Sequence, residues 1–233
     1  MVNVIFEDNH ILVVYKPAGI ATQTSRVGQQ DMVSEVKNYL VKQNKDNKEP
    51  YVGLVHRLDQ PVSGILVFAK TKTAAASLSY QIQNGDFRKY YYAVVLGKPK
   101  NNKDILVDYL YKDGHNNLSY VVKEDFPEAK KAVLEYRTRK TLMALEQNVE
   151  ASLVEVKLLT GRHHQIRAQL ANADIPILGD GKYGSIKSKD FSQHSACRNL
   201  ALCAHKLKFI HPLTGEELTF EKDPEDEIFE AFL

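Results

Sequence analysis

In front of the apolar run Ile65–Ala69 the chain crowds His56, Arg57, Asp59, Gln60 and Ser63, with Pro61 and Gly64 among them. A carboxylate held ionised by a guanidinium, with a phenol close by, is able to act as a nucleophile toward an electrophilic carbon. Two further segments collect reactive groups where a strand or a helix begins. One is Lys89 to Tyr92; the other is Thr160, Gly161 and Arg162 with His164, Gln165 and Arg167. If that last segment is helical, Arg162 pairs with Gln165 and His163 with Arg167 along the helix, so not all of these groups can face one site. Those that do not are left for solvent or phosphate. A lone Asp or Arg in such a place is most simply a cap or a surface ion pair. A tyrosine, two arginines and several glycines beside the carboxylate point past that reading.

The elements that must hold these groups are mostly strands. "VIFEDNHILVVYKPAGIATQ" reads as strand, Asp-Asn turn, strand and a Lys-Pro-Ala-Gly break, because β-branched runs flank turn formers. Met32, Val33, Val36, Tyr39 and Leu40 recur at helical spacing behind Asp31, which predicts a helix to Gln43, and "NKDNKEP" then reads as a polar loop. A second helix is expected from Thr73, closed by Asn84 and Gly85, and "KYYYAVVLG" is a strand of strong β formers. "VDYLYKDGHNNLSYVV" suggests paired strands around a loop, followed by strands in "KKAVLEYRTR" and "ASLVEVKLL". "GRHHQIRAQLANADIP" begins with a Gly and reads as a helix that ends before Pro176; "CAHKLKFIHPLTGEELTFEK" is a hairpin turning at Pro-Leu-Thr-Gly. On a strand, Tyr90 and Tyr92 point away from Tyr91 and suit a core, while Gly64, Gly161, Gly179 and Gly184 suit turns or close approaches. The pattern is α+β, dominated by antiparallel strands.

Composition narrows the setting. At 233 residues with 43% hydrophobic and 26% charged residues the chain can bury a real core, as one large domain or two packed lobes. The longest apolar runs are too short to cross a bilayer, and the acid-bearing N-terminus lacks the pattern of a signal peptide, so a cytoplasmic protein without a membrane partner is expected. The net charge of +2 hides an asymmetry: residues up to 215 hold thirty bases and twenty-one acids, whereas eight acids and one base follow. Such a body suits a polyanion, though a lysine-rich solvated surface would look the same. Cys197 and Cys203, with His194 and His205, fit no zinc template closely and read as the entry to a buried strand. No metal site is expected.

"HRLDQPVSGILVFAKT" resembles the catalytic motif of the RluA-type pseudouridine synthases, in which His-Arg-Leu-Asp is followed by Thr-Ser-Gly and an apolar run to Ala-Lys; here Val62 stands where that pattern has threonine. "VVYKPAGIATQ", "KYYYAVVLG", "LLTGRHHQIRAQL", "PILGDGKYG" and "LKFIHPLTGEELTF" are similar to the family's other signatures in the same order, so the resemblance covers nearly the whole chain.

The resemblance implies isomerisation of uridine to pseudouridine in ribosomal or transfer RNA, with no metal or cofactor. It implies a pseudouridine synthase fold: a mixed, largely antiparallel central sheet with an RNA-binding catalytic cleft. It makes residues 1–233 a single catalytic domain, a monomer, without the S4-type RNA-binding domain often found before it. The motif aspartate falls on Asp59, the tyrosine of Lys-x-Tyr-x-Ala on Tyr91, and the arginine ending His-Gln-x-Arg on Arg167. An arginine in contact, Arg167 by the resemblance, would keep Asp59 charged in a closed pocket, and a ring such as Tyr91 suits stacking on a flipped base. His56, Arg57, Arg162 and Lys182 are candidate RNA contacts, with a structural role in the Asp59 loop open to the first two. Three rivals are weaker. His-Arg-Leu-Asp has the wrong order for a kinase loop, and no Gly-rich loop or Asp-Phe-Gly accompanies it. A glycosidase would want a second carboxylate in a comparable motif. A non-catalytic RNA binder would have no need of Asp59, Tyr91 and Arg167 together.

Overall fold

The computed structural model describes residues 2–24, 28–43, 49–144, 149–193, 195 and 197–233. Along the chain the elements are β1 (Asn3–Glu7), β2 (Ile11–Lys16), α1 (Met32–Gln43), β3 (Gly53–Leu54), β4 (Ser63–Ala69), α2 (Lys72–Asn84), β5 (Arg88–Leu96), β6 (Lys103–Asp113), β7 (Leu118–Val122), β8 (Lys130–Ala144), β9 (Val149–Leu158), α3 (Gln165–Asn172), α4 (Ile186–Gln193), β10 (Leu202–Ile210) and β11 (Glu217–Glu221). The fold is α+β with largely antiparallel strands. The chain divides into two compact units: Met1–Arg88 with Ala204–Asp223, and Lys89–Cys203 with Pro224–Leu233. Among the described residues no helix is long and apolar enough to cross a membrane.

In the first unit β1 pairs with β2, β2 and β3 with β4, and β10 with β11, all antiparallel. Strands β2 and β4 are buried on both faces, which is why they read as unbroken apolar runs. Ile11, Val13, Ile65 and Val67 pack with Leu78 of α2 and with Phe87, Leu207 and Phe209. Helix α2 is capped at both ends: the Thr71 side chain accepts from Ala74 N, and Gly85 takes the left-handed conformation. Gly64 answers a real need for glycine. Its φ is +127° and an added Cβ would stand 2.4 Å from Ala204 O.

In the second unit the antiparallel order is β5, β9, β8, β6, β7. Helix α3 lies with Ala168 against Leu110 and Ala132. Because this face is apolar, the glutamines of α3 must find partners: Gln165 Nε2 donates to Val133 O (3.1 Å) and Gln169 Nε2 to Asp108 Oδ2 (2.7 Å).

The structure differs from expectation in several places. Helix α3 begins only at Gln165, so Arg162, His163 and His164 precede it, and His164 takes a positive φ of 50°. Helix α4 was not expected, since its sequence is polar and lacks an apolar period. Gly161 is no close approach, because a Cβ there would meet only Lys89 Nζ at 3.6 Å. Most of the polar loop expected after α1 (44–48), and His194, lie outside the described residues.

Candidate active site

The Asp59 loop is gripped on both sides by the segment that follows β2. Thr22, buried, donates from Oγ1 to Leu58 O (2.7 Å) and accepts from Leu58 N (3.1 Å). One residue beyond Asp59, the Gln60 carbonyl accepts from Gly19 N (2.9 Å), and the Gln60 side chain donates back to Gly19 O (2.9 Å). Lys16, wholly buried at the end of β2, donates to Gln60 O (3.0 Å) and to the carbonyls of Pro17 (2.9 Å) and Ile20 (2.7 Å). A buried ammonium without such acceptors would be strongly destabilising, so these carbonyls are where the chain has to go. Val62 N donates to Asp59 O (3.0 Å) and closes a turn through Pro61. Leu58 and Val62 are buried and Asp59 between them is half-buried, which presents a carboxylate on an immobilised backbone. Val62, at the position of the motif's threonine, is part of the core.

His56 and Arg57 part company here. Arg57 is exposed. The His56 ring is buried, 5.1 Å from Phe87, and its Nε2 accepts from Val67 N (3.2 Å), so the imidazole braces β4. Of the two roles open to His56, the geometry supports the structural one.

In the second unit Tyr91 lies on β5, opposite Val156 of β9, and is buried at 6% exposure. Lys89 shares its face, two residues away, and burial lowers the pKa of its ammonium. On the other face Tyr92 is buried as expected, whereas Tyr90 is only half-buried and lies outside the core it was expected to join. Arg167, in the first turn of α3, donates from Nε to Asp180 Oδ2 and from Nη2 to Asp180 Oδ1, each at 2.7 Å, with both side chains buried. The guanidinium also lies 5.1 Å from the Tyr183 ring centre.

Around this pair is a network in which Ser119 and Tyr183, which sequence reading did not single out, meet His163 and His164. The Tyr183 hydroxyl accepts from Ser119 N (2.7 Å) and lies 2.9 Å from His164 Nδ1. The rings of His163 and His164 stack at 3.7 Å. Burial, helped by Arg167 and Lys182, pushes His163 down to about 4 and His164 to about 3, so both imidazoles are neutral at neutral pH. Arg162 is exposed, its Nε donating to Lys131 O (2.9 Å), and exposed Lys182 donates from Nζ to Asn117 O (2.7 Å). Among the described residues no cluster of His, Cys, Asp and Glu is arranged to hold a metal ion.

The family model described as RNA pseudouridylate synthase matches residues 10–172. The chain belongs to that family, in its RluA branch. It is 35% identical over 219 residues to an RNA pseudouridine synthase of Bacillus subtilis, covering 94% of this chain and 67% of the relative. It is 30% identical to tRNA pseudouridine synthase C of Salmonella typhimurium (95% and 85% covered), and 32% identical to ribosomal large subunit pseudouridine synthase D of Zymomonas mobilis (96% and 69%). The solved structure of human RNA pseudouridylate synthase domain containing 4 shares the fold, with a TM-score of 0.73 at 24% identity over 96% of this chain and 89% of that one. As an RNA pseudouridylate synthase the protein is an isomerase that converts uridine to pseudouridine in RNA. The matched segment takes in Asp59, Tyr91 and Arg167 and stops short of Asp180 and Lys182.

Proposed function

We propose that Asp59 is the essential catalytic group of this pseudouridine synthase, with Tyr91 and Arg167 serving the same reaction, and that the substrate is a uridine in transfer or ribosomal RNA. The observation that carries the reading is the grip on the Asp59 loop, in which the backbones of Leu58 and Gln60 are both bonded to the segment after β2. A carboxylate serving only solubility has no use for such immobilisation. The isomerisation breaks the bond from N1 to C1′, joins C5 to C1′, and moves the C5 proton off carbon while N1 gains one. Charge develops at C1′ as the first bond breaks. An ionised carboxylate answers it by bonding to the sugar or base, or by assisting elimination to a glycal. The target base has to leave its stack to be turned, and Tyr91 offers a ring for it. Arg57, Arg162 and Lys182 are exposed cations suited to phosphates.

Support for both RNA classes comes from relatives named for transfer RNA and for large-subunit ribosomal RNA at comparable identity. The deciding experiment maps pseudouridines in both RNAs from cells carrying the wild-type gene, no gene, or Asp59→Asn. A nearly isosteric Asn keeps the fold and RNA binding, so the expected result is loss of the same sites in the last two strains. More than a few per cent of wild-type turnover in purified Asp59→Asn would refute the assignment.

A further inference from the structure

We infer that Asp180 is the positioning residue for Arg167, orienting its guanidinium while Tyr183 holds the face; the inference rests on the proposed part of Arg167 in the reaction. Asp180 offers both oxygens edge-on, taking Nε and Nη2 of Arg167 at 2.7 Å. Two such bonds fix the guanidinium plane as well as its place, which a single contact would not do.

The carboxylate is itself fixed. Oδ1 also accepts from Lys182 N (2.9 Å) and Tyr183 N (3.0 Å), so the loop after Gly179 winds around it. Gly179 lets that loop start where it does: its φ is +73°, and a Cβ would fall 2.0 Å from Asn199 O. The same loop brings Tyr183 to the guanidinium, and the Tyr183 hydroxyl is tied to Ser119 N and His164 Nδ1. Arg167 is thus set from its edge by a carboxylate and from its face by a ring, each anchored to backbone.

A buried ion pair of this kind adds little net stability, because desolvating both charges offsets most of their attraction. Orientation is what the arrangement does supply. The carboxylate of Asp180 is held below its usual pKa by Arg167 and by the two amides despite its burial, so the pair stays charged at neutral pH.

The test is single-turnover release of tritium from C5-labelled uridine in bulk RNA taken from cells lacking the gene, with RNA affinity by filter binding in parallel. Asp180→Asn keeps an oxygen for the two amides and Nη2, but sets an NH2 group against Arg167 Nε–H, so the guanidinium must turn. The rate should fall about 100-fold, the effect of a misplacement near 1 Å, while RNA affinity stays within about threefold. Arg167→Lys keeps the charge without the fork and should lose rate to the same extent, which tests orientation even if Asp180→Asn folds poorly. Added guanidinium should partly restore Arg167→Ala, and should not restore Arg167→Ala/Asp180→Asn. A wild-type rate in folded Asp180→Asn, a wild-type rate in Arg167→Lys, or equal rescue with and without Asp180 would each overturn the inference. If these occur while Asp59→Asn is dead, only the inference fails; if Asp59→Asn is active, the catalytic reading fails first.

Discussion

In the proposed reaction Tyr91 has two jobs open to it, stacking and proton removal, and its surroundings bear on the choice. A phenol with a reference pKa near about 10 is a weak base at neutral pH unless cations stabilise its anion. Lys89 shares the Tyr91 face of β5, but burial lowers the pKa of its ammonium, so it is a poorer source of positive charge than an exposed lysine would be. Tyr91→Phe separates the jobs. The ring remains, so RNA should still bind and 5-fluorouridine RNA, which has no C5 proton to lose, should still be rearranged or trapped. Tritium release from ordinary C5-labelled substrate should nearly stop. Release at close to the wild-type rate in Tyr91→Phe, with failure in Tyr91→Ala, would leave the residue a stacking platform and make Asp59 the first suspect for the base.

Strand β2 and the turn after it do more than bury apolar surface. Their end supplies Lys16, Gly19 and Thr22, which hold the chain on both sides of Asp59. Thr22→Val preserves shape and removes the hydroxyl, leaving the Leu58 amide and carbonyl short of a partner inside the protein. The expected loss is about 1–3 kcal/mol of stability, with a fall in turnover and little change in RNA affinity. A matched control is the α2 cap: Thr71→Ala should cost about 1 kcal/mol by freeing the Ala74 amide, yet leave turnover alone. Thermal unfolding and single-turnover rates on both variants decide the matter. Equal turnover in the two, at similar stability loss, would reduce the clamp to ordinary packing. The register that creates this clamp, with Lys16 opposite Gly64, could not be read from either strand alone.

The charge of the chain is unevenly laid out, with an excess of bases up to residue 215 and an acidic end. If the basic part meets RNA backbone, affinity should fall with salt with a log-log slope of about −0.7 for each phosphate neutralised on single strands. Arg162→Ala should flatten that slope by about one phosphate, because the side chain is exposed and, among the described residues, bonds internally through Nε, while turnover at saturating RNA should hold. Filter binding across a salt series reads both numbers. A flat response in the wild type would remove RNA backbone as the partner of this surface.

Local pattern alone determined a good deal: which runs are strands, that they are largely antiparallel, where α2 stops, and which family the ordered motifs belong to. These depend on neighbours within a few residues, through side-chain period, turn formers and caps. Tertiary structure decided what those patterns cannot encode. His56 turned inward because β4 brings Val67 N to its ring, though Arg57 beside it is exposed. The acid that holds Arg167 is Asp180, thirteen residues on and across a loop bend, and Thr22 reaches Leu58 over thirty-six residues. Lys16 looked like a break before Pro-Ala-Gly, yet it is fully buried, because only the folded chain assembles three carbonyls around its ammonium. A buried polar group takes its partners from wherever packing delivers them, and sequence separation carries no record of that choice.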